Sequence, residues 1–198
     1  MDAYKTIAPY YEAVTRRFLA ETRTALREIC SQSGARRILD IGCGTGLLTG
    51  ALYGYAEMVI GIDLSPAMLS EAGRSREHSG RKPVLLRADA LHPPFKPGSF
   101  DLLVYSLVLH ESCSGAERLL QAGLQMAPLA LVVEWRPPLS IQDIFLLSWR
   151  HGIERLAGTE HYRQFKAFIR KGGVPPPAER VVSRLFRRQP LPYTGMDA

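Results

Sequence analysis

The residues with the plainest capacity for chemistry stand in one run, Asp40-Ile41-Gly42-Cys43-Gly44-Thr45-Gly46, where glycines alternate with small side chains just behind an acid. Such a run lets the backbone turn tightly and approach a ligand without side-chain clash, provided a strand delivers it and a helix follows. The position three beyond Gly44 is Leu47, so the dinucleotide pattern Gly-x-Gly-x-x-Gly fails at its last glycine, and the Lys-Ser/Thr pair of a phosphate-binding P-loop is missing. Asp63 follows Gly44 by 19 residues, the place from which a carboxylate accepts hydrogen bonds from both hydroxyls of a ribose. Asp89 falls one crossover further on. Together Asp40, Asp63 and Asp89 would repel a pyrophosphate, but they suit a cationic ligand that carries a ribose and an amine-bearing base.

These residues need a scaffold that brings them to one edge. Apolar positions Tyr11, Val14, Phe18, Ala25 and Ile29 recur at helical spacing and predict one long amphipathic helix from Ala8 to Cys30, with Gly34 as a left-handed stop. Arg36 to Ile41 reads as a buried strand, and the glycine run opens a helix from about Thr45 to Tyr55. Met58 to Asp63 is the second strand. Ser65 followed by Pro66 places a hydroxyl cap before a proline at the first helical position, starting a helix that runs towards His78. Val84 to Arg87, Phe100 to Val108 and Leu129 to Glu134 are further strands, with a Pro-rich loop over Leu91 to Ser99 and a helix over Gly115 to Met126. Near-continuous apolar strands alternating with helices predict an α/β fold: a doubly wound, Rossmann-like, mostly parallel sheet with helices on both faces. Ligands of such sheets bind beyond the carboxyl ends of the strands, which is where the three acids fall.

The 198 residues are 46% apolar and 22% charged, a composition for one folded domain and not for a disordered chain. Residues 1–135 hold 14 basic and 14 acidic residues, and residues 136–198 hold 11 and 5, so the whole net charge of +6 sits in the last third. A neutral body with a basic C-terminal face speaks against a uniformly basic nucleic-acid binder. Cys30, Cys43 and Cys113 are odd in number and far apart, without a Cys-x-x-Cys pair or a Cys/His cluster, so neither a disulfide scaffold nor a metal site is expected. No apolar run reaches the roughly 18 residues of a membrane span, and the N-terminus lacks a basic then apolar leader. The expectation is a cytoplasmic protein.

The sequence resembles the class I S-adenosylmethionine-dependent methyltransferases, in the small-molecule branch that includes the ubiquinone and biotin pathway enzymes. Four ordered segments between Tyr4 and Glu134 carry the resemblance: Ile38 to Gly46, Gly61 to Leu69, Ala88-Asp89-Ala90, and Ser99 to Ser106 with Leu109-His110. It implies S-adenosylmethionine as cofactor, with Gly42 and Gly44 passing its methionine part and Asp40 near its ammonium. It also implies Asp63 on the ribose, Leu64 and Met68 flanking the adenine, Asp89 with the Ala90 amide reading the base, and Ser106 beside the donor methyl. Tyr4-x-x-Ile7-Ala8-x-x-Tyr11-Glu12 is similar to the family's N-terminal lid, whose tyrosine closes over the sulfonium, and Tyr11 is the candidate. The domain organisation implied is a lid helix over 1–33, a cofactor core over 36–135, and acceptor-roof helices with a C-terminal strand over 136–198.

Methyl transfer needs alignment and water exclusion more than a fixed acid/base set. Tyr105-Ser106-Leu107-Val108 lacks the family's Asn/Asp-Pro-Pro-aromatic segment for amine methylation, and no Pro-Cys nucleophile follows, which favours a small-molecule acceptor. His110 is the best-placed titratable group to take a proton from a hydroxyl acceptor. Between Leu139 and Lys171, apolar residues such as Phe145, Trp149 and Ile153 alternate with Arg150, Arg155, Arg163 and Lys166. That mixture suits an acceptor with an apolar body and an anionic group, or a second subunit of a homodimer. Other readings are an RNA or protein methyltransferase using the basic last third, or a binding protein for the cofactor without transferase activity. The C-terminus departs from the family: Arg180 to Arg187 can form one further strand, while Gln189 to Ala198, with two prolines, leaves the edge strand short or missing.

Overall fold

Six short apolar stretches lie side by side to form the sheet that carries the glycine run. The computed structural model describes residues 2, 4–16, 20–74, 83–112, 115–135, 163 and 181–187. In chain order the elements are α1 (Ala8–Thr15), α2 (Ala20–Gln32), β1 (Arg37–Ile41), α3 (Leu47–Leu52), β2 (Met58–Asp63), α4 (Pro66–Arg74), β3 (Val84–Arg87), β4 (Leu102–Ser106), α5 (Ala116–Leu124), β5 (Leu129–Trp135) and β6 (Val181–Arg187). The strand order is β3-β2-β1-β4-β5-β6. The first five strands are parallel and β6 runs antiparallel to β5, with Leu129 opposite Arg187 and Trp135 opposite Val181. The chain starts in the middle of the sheet, winds outward to β3, returns to β4 and winds the other way. The expected doubly wound order is the one observed, and the reversal falls between β1 and β4.

Both faces of the sheet are covered, as a parallel sheet requires. On one face Leu26 and Cys30 of α2 and Leu48 and Leu52 of α3 pack on Ile38, Val59, Leu102, Val104 and Leu131. On the other, Leu119, Leu120 and Leu124 of α5 pack on Leu39, Ile41, Ile62, Leu103, Tyr105 and Val132. Each such side chain taken fully out of water contributes about 1.5–3 kcal/mol. The N-terminal helix differs from expectation: it is two helices, and Ala25 is exposed while Leu26 and Cys30 face the core. Two polar contacts lie at the end of α1, ahead of residues 17–19, which are outside the described residues. The Thr15 hydroxyl donates back to the Tyr11 carbonyl at 2.7 Å, a bond that competes with the helical ladder, and the Arg16 carbonyl accepts from Arg23 Nη2 at 2.5 Å. Gly34 has φ +68°, the left-handed stop expected after α2.

Strand β4 is shorter than expected because Leu107 adopts φ +57°, which ends the extended run and turns the chain into a short 3₁₀ turn over Leu109–Glu111. The strand over Val181–Arg187 is the one further strand expected from Arg180 to Arg187, and it lies antiparallel to β5. The acceptor-roof region beyond Arg136, Gly172 to Pro177, the segment after Gln189, and Cys113, His78, His151 and His161 lie outside the described residues. Among the described residues no helix is long and apolar enough to cross a membrane.

Candidate cofactor cleft

Register sets the level of the site. Ile41 pairs with Ile62 on β2 and with Tyr105 on β4, so the next residues, Gly42, Asp63 and Ser106, stand at one height along the carboxyl edge. Gly42 and Cys43 both donate to the Ile62 carbonyl, at 2.8 and 3.0 Å, which pins the glycine run to β2. Two of its glycines do different things. Gly42, at φ +70°, is packed so closely that a Cβ there would lie 2.3 Å from Val108 Cγ2, whereas a Cβ on Gly44, at φ +56°, would meet nothing within 4 Å. Gly42 therefore lets the post-β4 loop close on β1, and Gly44 leaves bare backbone facing open space.

Asp63 ties the loop to α4: its Oδ2 accepts from Gly44 N at 2.8 Å and its Oδ1 from Ser65 N at 2.8 Å. Burial raises its carboxyl above the ordinary value, the backbone hydrogen bonds from Ser65 and Gly44 oppose that, and the neighbouring Asp2 charge adds to it. Ser65 caps α4, accepting from Met68 N at 3.1 Å, as its sequence position predicts. Asp40 is buried, accepts from the Thr49 hydroxyl at 2.6 Å, and has its carboxyl pushed up to about 7 by burial, against the pull of the Thr49 bond and with a smaller push from Asp63. Burial likewise drives the Cys43 thiol well above its ordinary value, which keeps it unreactive.

An open cleft lies against this edge. Tyr11 and Thr15 of α1, Thr22 and Arg23 of α2, Asp40, Gly42 to Thr45, and Ser106 line it. Of the residues expected to form a site, the fold gathers Tyr11, Asp40, Gly42, Gly44 and Ser106 around this cleft, with Asp63 bonded to its lining through Gly44. Leu64 is exposed and Met68 buried, on the turn and helix after β2. Asp89 stands at the end of β3 and closes its own turn, accepting from Leu91 N at 2.9 Å and facing His92 Nδ1 at 3.1 Å. The Leu91 N–H, then the His92 bond, hold its carboxyl below the ordinary range. Ala90, beside it, packs on the core.

His110 is placed elsewhere. Its ring is fully buried, with Nδ1 2.8 Å from Glu134 Oε1 and Nε2 3.8 Å from Glu111 Oε1, and it does not line the cleft. Thr15, Thr22, Arg23, Leu47 and Leu48 line the cleft as well without standing out in the sequence; Arg23, on a helix rich in Thr, Arg and Glu, looks there like any solvated charge.

Residues 39–124 are similar to the Methyltransferase domain family. A demethylmenaquinone methyltransferase of Thermus thermophilus is 32% identical over 143 residues, 68% of this chain and 65% of that protein. The matched core is similar to the class I S-adenosylmethionine-dependent methyltransferases. An 18S rRNA (guanine-N(7))-methyltransferase of Schizosaccharomyces pombe is 42% identical over 74 residues, 37% of this chain and 27% of that protein. The chain thus spans about two thirds or less of the curated relatives it matches. In fold, the YcgJ protein of Bacillus subtilis aligns with a TM-score of 0.57 at 19% identity, over 75% of this chain and 67% of that one. The cofactor of this family is S-adenosylmethionine, and the residues here fit it: open backbone at Gly44, the Asp63 carboxylate bonded to that backbone, and a cleft lined by both an acid and a guanidinium.

Proposed function

We propose that this domain transfers a methyl group from S-adenosylmethionine to a small-molecule acceptor with an apolar body and an anionic group. The observation that carries the reading is the Gly44–Asp63 junction, bare backbone beside a carboxylate already fixed by two N–H donors. Asp63 would take the ribose hydroxyls, its remaining lone pairs being free of the two backbone bonds. Asp40 would face the ammonium and Arg23 the carboxylate of the amino-acid part, with Gly42 and Gly44 letting that part pass between. Leu64 and Met68 would flank the adenine, and Asp89 with the Ala90 amide would read its edge. When bound, the cofactor supplies an electrophilic methyl on a sulfonium, a leaving group that needs no proton. The residues around it then have to align and dry the site, for which Tyr11 and Ser106 stand on the cleft wall.

The post-β4 segment Ser106-Leu107-Val108 supports a small acceptor, since it lacks the Pro-Pro-aromatic platform that holds an amine of a base. The likeness to a demethylmenaquinone methyltransferase points the same way. The likeness to an 18S rRNA methyltransferase and the basic residues beyond Arg136 support a second reading, an RNA acceptor. Incubating the protein with methyl-labelled S-adenosylmethionine and, separately, a cell metabolite extract or total RNA decides between them. Label in low-molecular-mass products is expected. Label in RNA alone would replace the first reading by the second, and binding without label in either would leave a non-catalytic binding protein. The two buried free thiols, Cys30 and Cys43, suit a reducing cytoplasm.

A further inference from the structure

Outside the cleft, a row of polar side chains runs from the sheet to the N-terminal segment. Glu134 near the end of β5 is wholly buried, and its carboxylate gathers three donors. Oε2 accepts from Leu109 N at 2.9 Å and His110 N at 3.3 Å, and Oε1 faces His110 Nδ1 at 2.8 Å. A carboxylate oxygen accepts, so Nδ1 carries the hydrogen and the ring is fixed with Nε2 towards Glu111, 3.8 Å away. Glu111 Oε1 in turn accepts from the Tyr4 hydroxyl. The Tyr4 ring meets the Tyr11 ring edge-on, with centroids 6.1 Å apart and planes at 85°, and Tyr11 lines the cleft.

A second tether lies two residues earlier. The Asp2 carboxylate accepts from the Ser65 hydroxyl at 2.8 and 3.0 Å and from Ala67 N at 3.0 Å. Asp2 is thus held by residues that follow β2, and Tyr4 by a residue that follows β4, while β1 lies between those two strands. Asp2 and Tyr4, just ahead of α1, are therefore held by residues that follow the two strands flanking β1.

We propose that Glu134, His110 and Glu111 are positioning residues: a carboxylate–imidazole–carboxylate row that holds Tyr4, and through Tyr4 sets the segment 4–16 that brings Tyr11 and Thr15 to the cleft. The assignment rests on reading the cleft as the cofactor site. It gives the buried His110 a reason for its two carboxylate neighbours, since removing the imidazole would take a donor from the fully buried Glu134. It also makes the cleft depend on Glu134 of β5, which is not among the described lining residues.

The test is hydrogen–deuterium exchange on the full chain, with S-adenosylhomocysteine affinity and dissociation rate measured in parallel. Tyr4→Phe removes one hydroxyl, and His110→Asn keeps a donor towards Glu134 while withdrawing Nε2 from Glu111. Both variants should speed exchange over residues 4–16 about tenfold, leave β1 and β5 amides at the wild-type rate, and weaken S-adenosylhomocysteine binding about fivefold through faster dissociation. Tyr10→Phe, on an exposed ring of the same helix, should change neither. Wild-type exchange over 4–16 in both variants overturns the proposal, as does an equal acceleration throughout the chain, or faster exchange with unchanged affinity. If the wild-type protein binds neither S-adenosylhomocysteine nor S-adenosylmethionine, the cofactor reading fails, and the exchange pattern alone still decides whether the row holds the segment.

Discussion

Asp63 joins three things: the glycine run through Gly44, the cap of α4 through Ser65, and the charge that a ribose would meet. Asp63→Ala is expected to weaken S-adenosylmethionine binding by about 1.5–3 kcal/mol, the usual loss for hydrogen bonds to a charged group, which is roughly tenfold to a hundredfold in the dissociation constant. Calorimetry checks this, and unchanged affinity would remove Asp63 from the site. Asp40 makes a different prediction. Its carboxyl is raised to about 7 from an unfolded value of about 4, so between those pH values the folded state holds a proton that the unfolded state has lost. Stability from this group must fall as pH rises through that window. Asp40→Asn keeps an acceptor for the Thr49 hydroxyl and removes the titration, so its advantage over wild type in chemical denaturation should grow from pH 5 to pH 8. A cationic ligand beside Asp40 favours the ionised form, hence S-adenosylmethionine binding at pH 7 should release protons, seen as a buffer-dependent heat.

At the scale of elements, the glycine run separates folding from binding. Ala at position 42 carries both the left-handed strain, about 1–2 kcal/mol, and a collision with Val108, so Gly42→Ala should lower the thermal midpoint sharply. Gly44→Ala meets open space and carries the strain alone. It is expected to melt only a few degrees below wild type yet to lose most of its affinity for S-adenosylhomocysteine, because the new methyl points where the ligand would pass. Equal loss of stability in the two variants would mean that Gly44 is as closely packed as Gly42. The same reasoning explains why β4 stops at Ser106: the bend at Leu107 puts Val108 on Gly42 and leads the backbone to Glu134, two contacts made with different strands.

For the whole molecule, binding to the native state alone adds RT ln(1 + [L]/Kd), about 2.7 kcal/mol at a hundredfold excess over Kd. S-adenosylhomocysteine, which lacks the sulfonium but keeps the ribose, adenine and amino-acid parts, should therefore raise the thermal midpoint by several degrees. NAD at the same concentration should not compete with it, since Leu47 stands where a dinucleotide loop needs its third glycine. A midpoint unmoved by either adenosyl ligand at millimolar concentration would mean that the fold has outlived its cofactor site.

Strand order, the two-sided core and the glycine run were legible in the chain itself, because a buried parallel strand must be apolar along its length and a tight turn must be glycine. Ser65-Pro66 and Gly34 were legible for the same reason, each satisfying a need of the backbone within a few residues. What is decided between distant segments was not. The Arg23 side chain reaches back to the Arg16 carbonyl at the end of α1, and a helical spacing count cannot register such a contact. Arg23 at the cleft, the seating of Asp2 on Ser65 and the burial of His110 between Glu134 and Glu111 all join residues that are polar, unremarkable in sequence and far apart in it. Periodicity reports which face of an element meets the core. It carries no information about which charge another element will bring to meet it, and that pairing is fixed only when the sheet has set β2, β4 and β5 at their distances.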